Sequence, residues 1–266
     1  MIKKEEDKAI KNTVKGRYGQ IARGESDICC NPNVVCCGDN IITPDQISRD
    51  LGYSRGEMNN SPAGSNLGLG CGNPVAIAEL REGETVLDLG SGGGFDCFLA
   101  ARQVGPEGKV IGVDMTSAML ERAQKNAVDG GFKNVEFRFG EIERLPITDN
   151  SVDVIMSNCV INLAPDKKRV FVEAFRVLKP GGRLCIFDVV ATAPLPDDLR
   201  SDLDAYVGCI AGATLVDDMV AIMEAAGYIE VRVEPQCQIR EQIKNWMPEK
   251  HVENYVVSAL IRAVKP

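Results

Sequence analysis

The sequence predicts a doubly wound α/β fold with a mostly parallel sheet of seven strands, and three observations carry that expectation. Apolar runs of strand length alternate with helix-length segments from residue 80 onward, the pattern of parallel strands joined by crossover helices. A glycine-rich turn, "GSGGG", follows the first of these runs, where a ligand can approach the backbone closely and meet the next helix N-terminus. The second run ends in an acid, Asp114, at about the place where such folds hold ribose hydroxyls.

The elements follow in order. Residues 1–20 read as a charged helix ending near "YGQ", and residues 24–37, "GESDICCNPNVVCC", as a polar loop rich in cysteine. "TPDQISRDLGYS" (43–54) opens with a threonine cap before a short helix. "SPAGSNLGLGCGNP" (61–74) is an irregular loop around Cys71, and "PVAIAELRE" (74–82) is a short helix leading into the sheet. The division is therefore an N-terminal cap, 1–79, with the cysteine-rich loop and the Cys71 loop, and a core, 80–266. Strands are expected in "TVLDLG", "KVIGVD", "NVEFRFG", "SVDVIMS" and "GRLCIFDVVA". The helices between them are "FDCFLAARQV", "TSAMLERAQKNAVDG" and "DKKRVFVEAFRVLKPGG". A substrate-side insertion over 192–213 precedes the amphipathic helix "TLVDDMVAIMEAAGY", and "YIEVRVEP" and "NYVVSALIRAV" complete the sheet.

Composition narrows the function. With 44% hydrophobic residues the 266-residue chain can build a core, and a net charge of -8 argues against nucleic acid or an anionic membrane as partner. No apolar run is long enough to span a bilayer, and the charged N-terminus lacks the apolar stretch of a signal peptide, so a cytoplasmic address is expected. There are ten cysteines and a single histidine, His251, which reads as a surface or packing residue. Catalysis built on imidazole would rest on that one side chain. Cysteines of a cytoplasmic chain are mostly reduced, which suits soft-metal binding or redox chemistry.

"VLDLGSGGGF" (86–95) sets Asp88 ahead of Gly90, Ser91, Gly92 and Gly94 in the pattern D-x-G-x-G-x-G, distinct from the G-x-G-x-x-G of dehydrogenases. Met115, after Asp114, is placed to lie against an adenine. Glu141, in "GEIERLP" after the third strand, is placed to receive the adenine amino group, with Ile142 beside the ring. Asn158, at the end of the fourth strand, is counted with these cofactor candidates. Ordinary helix–sheet packing explains one glycine or one acid but not the ordered set. Over residues 80 to about 192 the set resembles a class I S-adenosylmethionine methyltransferase, a Rossmann-like fold whose cofactor is S-adenosylmethionine.

Three cysteines fall in loops that such a fold brings to one edge: Cys71 in "LGLGCGNP", Cys159 in "SNCVINL" and Cys209 in "YVGCIAGA". Cys159 lies where the chain leaves an apolar strand, the carboxyl edge at which open α/β sheets bind ligands. Three thiolates converging without a histidine or carboxylate favour a soft, thiophilic ion. A trigonal sulfur site suits arsenic(III), whose lone pair on the open face can be aimed at a sulfonium methyl group. The thiolates are then positioning ligands, and no general base is needed.

"NLGLGCGNP", "VLDLGSGGGFDCFLAARQVG", "VIGVDMT", "NVEFRFGEIERLP", "SNCVINLAPDK", "RVLKPGGRL" and "GCIAGA" together resemble the arsenite methyltransferase family across residues 60–213. The resemblance implies that Cys71, Cys159 and Cys209 bind trivalent arsenic, delivered as arsenite or its glutathione conjugate. It also implies that methylation raises arsenic to the pentavalent state, that two cysteines reduce it again, and that thioredoxin or a small thiol resets the enzyme. A cysteine after the N-terminal "YG" pairs with the first arsenic-binding cysteine in that family, so Cys29 or Cys30 becomes the partner of Cys71, and the sequence does not choose between them. Tyr18 matches a tyrosine that reaches over the methionine part of the cofactor; an ordinary packing tyrosine is the alternative. The chain ends soon after the core, without the C-terminal extension of many members, which leaves open how far methylation proceeds. A monomer is expected.

The remaining cysteines have plainer readings. Cys97, Cys185 and Cys237 are core filler. The adjacent pairs Cys29–Cys30 and Cys36–Cys37 are not the C-x₂-C spacing of a structural zinc site, and Cys36 and Cys37 either assist metalloid loading, serve as extra reductant, or do neither. Two other functions remain: methylation of a small organic acceptor, which gives no reason for three loop cysteines, and sequestration of metalloid without turnover.

Overall fold

In the computed structural model of the protein, which describes residues 2–25, 43–236 and 240–266, the apolar runs form one sheet. Its strands are β1 (Thr85–Leu89), β2 (Lys109–Asp114), β3 (Val135–Phe139), β4 (Val152–Asn158), β5 (Leu178–Ala191), the two-residue β6 (Thr214–Leu215), β7 (Ile229–Gln236) and β8 (Val256–Val264). The spatial order is β3-β2-β1-β4-β5-β8-β7, with β6 added beside the end of β5. The β1–β6 pairings are parallel, whereas β8 runs antiparallel to both β5 and β7. The expected mostly parallel, doubly wound sheet is thus present. The order reverses between β1 and β4, the switch point outside which ligands bind in such sheets.

The helices are α1 (Ile2–Arg23), α2 (Pro44–Asp50), α3 (Arg55–Asn59), α4 (Pro74–Ile77), α5 (Phe95–Val104), α6 (Ser117–Asp129), α7 (Lys167–Val177), α8 (Asp197–Arg200), α9 (Leu203–Val207), α10 (Val216–Ala225) and α11 (Arg240–Trp246). Successive strand residues point to opposite faces. Val86, Val110, Val154, Met156 and Phe187 therefore pack with Cys97 and Leu99 of α5, whereas Leu87, Ile111, Ile155 and Ile186 pack with Phe171 of α7 and Met219 of α10. The central strands are buried on both sides, which is why they read as nearly continuous apolar runs.

Three local outcomes differ from the sequence expectation. The helix expected over 74–82 stops at Ile77, because Arg183 of β5 takes the carbonyls of Ala78 and Glu79 at 2.8 and 2.7 Å, and Glu79 turns the chain at φ 50°. The "LKPGG" expected to close the helix of α7 instead begins β5; the residue before Pro180 is driven to extended backbone. α1 continues three residues beyond its expected end and lies across α6, where Ile21 and Ala22 bury against Met119. The threonine cap of α2 is present, with Thr43 and Gln46 forming a reciprocal capping box.

The cysteine-rich loop, with Cys29, Cys30, Cys36 and Cys37, lies outside the described residues, as does Cys237. Among the described residues no helix is long and apolar enough to cross a membrane.

The chain's penultimate residue locks α7 to the sheet. Lys265 is buried, and its Nζ donates to Asn150 Oδ1 (2.7 Å), the Phe175 carbonyl (2.8 Å) and the Leu178 carbonyl (2.7 Å). Lys265→Ala strips three acceptors, the Leu178 carbonyl buried among them, of their donor, and a loss of about 1–3 kcal/mol in unfolding free energy is expected from urea denaturation.

Candidate functional site

Two groups of residues meet at the carboxyl edge of the sheet. The first is the glycine turn between β1 and α5. Gly90 and Ser91 tether it by donating to the Val113 carbonyl at 2.8 and 3.1 Å, and Gly92 donates to Asp114 Oδ2 at 3.0 Å. Gly90 has φ 71°, and a Cβ there would collide with the side chain of Val160; only glycine lets the turn lie against the loop that carries Cys159. Helix α5 has no side-chain cap, so its first amides remain available. Ser91 Oγ is buried without a partner, and a Cβ built at Gly92 meets nothing nearer than Met119 Sδ at 4.0 Å. An orphaned hydroxyl, open space and uncapped amides at one turn fit the S-adenosylmethionine that the motif implies.

Asp88 is buried at the end of β1 and accepts from the Cys97 thiol at 3.2 Å, so Cys97 supports an acid as well as filling space. Burial, with Asp96 nearby, pushes the Asp88 carboxyl well above the usual carboxylate range. Asp114 is likewise raised by burial, against the hydrogen bonds from the Thr116 and Gly92 amides. Met115 is half-buried against the α5-side core, and Ile142 against the opposite one. Glu141 does not stand free: its carboxylate oxygens hold Lys11 at 2.9 Å and Lys15 at 3.0 Å, both from α1, and the Lys11 bond pulls its pKa down.

The second group is the thiols. The Cys159 thiol lies near both Cys209 and Cys71, each of which acts on it, and its sulfur is within 4.8 Å of that of Cys209. The Cys209 thiol also donates to the Cys159 carbonyl at 3.1 Å. Cys71 and Cys209 are buried and Cys159 is half-buried. Cys159 and Cys209 have left-handed backbone, φ 58° and 63°, which in a non-glycine residue costs on the order of 1–3 kcal/mol each. The bonds to Cys209 and Cys71, and then burial, raise the Cys159 thiol well above the ordinary cysteine value. For Cys209 the bond to Cys159 pulls down, but burial and Asp188 prevail and its value is raised. Cys159 and Cys209 therefore rest as thiols at neutral pH in the free site.

One expectation needs correction: the thiols do not converge without a carboxylate. The ligand atoms of Cys159, Cys209 and Asp188 all lie within 4.8 Å of one another. Asp188, fully buried on β5, accepts from the Ile161 amide at 2.7 Å and the Val189 amide at 2.8 Å, and burial pushes it up to about 6. The run "CIFDVVA" displays this acid only as one polar position in an apolar strand, a signal that marks a buried polar group without saying what it meets.

Tyr18 of α1 joins the two groups. Its hydroxyl donates to the Val207 carbonyl at 3.4 Å, and burial raises its phenol well above the usual range, with Cys209, Cys159, Asp114 and Asp188 adding in that order. Asn158, expected at the cofactor, has its amide spent on the Cys71 loop: Oδ1 accepts from the Cys71 amide at 2.9 Å, and Nδ2 donates to the Gly72 carbonyl at 2.8 Å, Tyr53 Oη at 3.1 Å and Asp96 Oδ2 at 3.2 Å. Cys185 is buried filler, and His251 is exposed beside Glu253.

A family model described as a methyltransferase domain matches residues 80–227. The arsenite methyltransferase of Halobacterium salinarum is 47% identical over all of this chain and 69% of its own length. That of Aquipseudomonas alcaligenes is 40% identical over 83% of this chain and 62% of its own length. Among solved structures, an arsenic (III) S-adenosylmethionine methyltransferase from Chlamydomonas reinhardtii superimposes with a TM-score of 0.64 at 35% identity, covering 83% of this chain and 73% of that one. The chain thus spans about two thirds of the length of the curated relatives it matches.

The buried acids make stability depend on pH in a stated direction. Burial raises Asp96 to about 6, against bonds from Tyr53 and Asn158. The native state then holds a proton that the unfolded chain releases near pH 4, so this contribution is present at low pH and lost as pH rises through 6. From pH 4.5 to 7, the unfolding free energy of the wild type should fall relative to that of Asp96→Asn in parallel urea titrations.

Proposed function

Since the chain belongs to the arsenite methyltransferase family, we propose that it transfers a methyl group from S-adenosylmethionine to trivalent arsenic held by the sulfurs of Cys71, Cys159 and Cys209. The observation that carries this is the grouping of the Cys159 and Cys209 sulfurs within 4.8 Å, with the buried Cys71 acting on Cys159 and Gly90 of the cofactor turn packed against Val160 of the Cys159 loop.

The thiols load arsenic by exchange. Arsenous acid brings three hydroxyls; each thiol forms an As–S bond as its proton leaves with a hydroxyl, so three thiols release three waters with no net change in protons. The glutathione conjugate exchanges in the same way, with the tripeptide thiols leaving. Buried sulfur displaces oxygen because arsenic(III) is soft, and Asp188, with its oxygens bound to backbone amides, is the poorer ligand. Three fixed sulfurs leave the arsenic lone pair on the open face of a pyramid. Ser91, Asp114 and the uncapped start of α5 would hold the cofactor, with Tyr18 closing over the junction. Bound S-adenosylmethionine supplies an electrophilic methyl group, which the arsenic lone pair accepts. Fixing lone pair and acceptor direction is where the protein contributes most to the rate. Transfer formally takes two electrons from arsenic, and two cysteine thiols return them by closing a disulfide that thioredoxin or a small thiol reopens. Cys29 or Cys30 with Cys71 is the proposed pair.

The test is formation of S-adenosylhomocysteine with arsenite and a thiol reductant, for wild type and Cys159→Ser. Arsenite-dependent turnover in the wild type, falling at least about 100-fold in the variant, is expected. Tight arsenite binding without turnover would instead identify a sequestering protein, and turnover of an organic acceptor untouched by the substitution would remove the sulfurs from the mechanism. Calorimetry of arsenite binding in buffers of different ionisation enthalpy should show no net proton exchange near pH 7; substantial uptake would mean that the resting site holds thiolates.

A further inference from the structure

Asn158 precedes Cys159, and its side chain reaches the loop of Cys71 as well as Tyr53 and Asp96. We propose that Asn158 is a positioning residue for arsenic, a clasp that holds the loop of Cys71 against the end of β4 so that the Cys71 and Cys159 sulfurs meet; this rests on the assignment of those sulfurs as arsenic ligands.

The geometry allows one orientation of the amide. Its oxygen faces the Cys71 N–H at 2.9 Å, and its nitrogen faces the Gly72 carbonyl at 2.8 Å, the Tyr53 hydroxyl oxygen at 3.1 Å and an Asp96 oxygen at 3.2 Å. Reversing it would set oxygen against a carbonyl and a carboxylate, and nitrogen against an N–H. Asn158 thus grips the loop on both sides of Cys71, accepting from the Cys71 amide and donating to the carbonyl of the next residue, Gly72. The Tyr53 hydroxyl, which donates to Asp96 Oδ1 at 2.6 Å, fixes the carboxylate that Asn158 leans on.

The approach is as close as the chain permits. Gly70 has φ 144°, and a Cβ there would come within 2.8 Å of Asn158 Oδ1 and Nδ2, so glycine is required for the loop to reach the amide. From the opposite side Ser258 of β8 donates to the Cys71 carbonyl at 2.7 Å. Asn158 itself is fixed in the sheet by pairing with Phe187 of β5. The Cys71 loop carries no strand of its own, so its placement depends on these side chains. Without the clasp, the loop of Cys71 is free to move away from Cys159, and misplacement by about 1 Å at a reacting centre can cost 100-fold.

A clasp and a cofactor contact give opposite results. Arsenite binding by equilibrium dialysis and S-adenosylmethionine binding by calorimetry would be measured on the full chain for wild type, Asn158→Ala, Asn158→Asp and Cys159→Ser, well below each variant's melting temperature. The Asp variant is isosteric and keeps an acceptor for the Cys71 amide while losing the donor to Gly72, so it serves if the Ala variant does not fold. A rise of about tenfold or more in the arsenite Kd of either Asn158 variant, and in the KM for arsenite, with S-adenosylmethionine Kd within about twofold of wild type, is expected. Weakened S-adenosylmethionine binding with arsenite binding intact would make Asn158 a cofactor contact and overturn the clasp, as would no change in either. If Cys159→Ser binds arsenite as the wild type does, the three-sulfur assignment itself fails and the clasp falls with it.

Discussion

Three loops leave the carboxyl edge of the sheet carrying backbone groups that no strand satisfies, and buried side chains must satisfy them before any thiol can be held still. Asn158 and Ser258 take the amide and carbonyl of Cys71. Asn162, fully buried, donates to the carbonyl of Cys209 at 3.0 Å and to that of Val189. Asp188 takes the Ile161 and Val189 amides. The Cys159 amide reaches the Phe187 carbonyl at 2.8 Å, and its own carbonyl receives the Cys209 thiol. Every peptide group that fixes a sulfur therefore has a partner, and in a water-poor interior an unpaired one would cost about 1–3 kcal/mol. The same bonds hold Cys159 and Cys209 in left-handed backbone, a conformation that persists only where the surroundings over-determine it.

This polar scaffold brings the glycine turn and the thiol cluster together in one fold. The glycine turn needs positive φ and open amides, while the sulfur site needs burial and the absence of competing hard ligands. Packing Gly90 against Val160 sets the two environments next to each other without merging them. Asp188, close enough to compete for a cation, has each carboxylate oxygen bound to one backbone amide. A chain of the arsenite methyltransferase family with one histidine is coherent on these terms, because an arsenic lone pair carries no proton for a base to remove.

The fold and the location of the sulfurs were legible in the sequence; the groups that hold the sulfurs were not. Strand periodicity is a local signal that the sheet follows, and "GSGGG" forms the turn between β1 and α5 with Asp114 taking its Gly92 amide. Cys159 was recognisable because it follows an apolar strand. Asp188 and Ser258 appear in the sequence only as polar residues within apolar strands, and the loops they serve are contributed by residues as far as 187 positions away. A strand-end position points Asn158 towards the cofactor, whereas its hydrogen-bond partners depend on how the Cys71 loop folds back over that end. The local motif points Glu141 towards an adenine, and the docking of Lys11 and Lys15 from α1 onto it is a tertiary event that no motif announces.

Arsenic X-ray absorption on the arsenite-loaded protein tests the central claim most directly. Three sulfur neighbours and no oxygen in the first coordination sphere, falling to two sulfurs in Cys159→Ser, is the result expected of a site made by Cys71, Cys159 and Cys209. Mixed oxygen and sulfur coordination in the wild type, unchanged by that substitution, would contradict it.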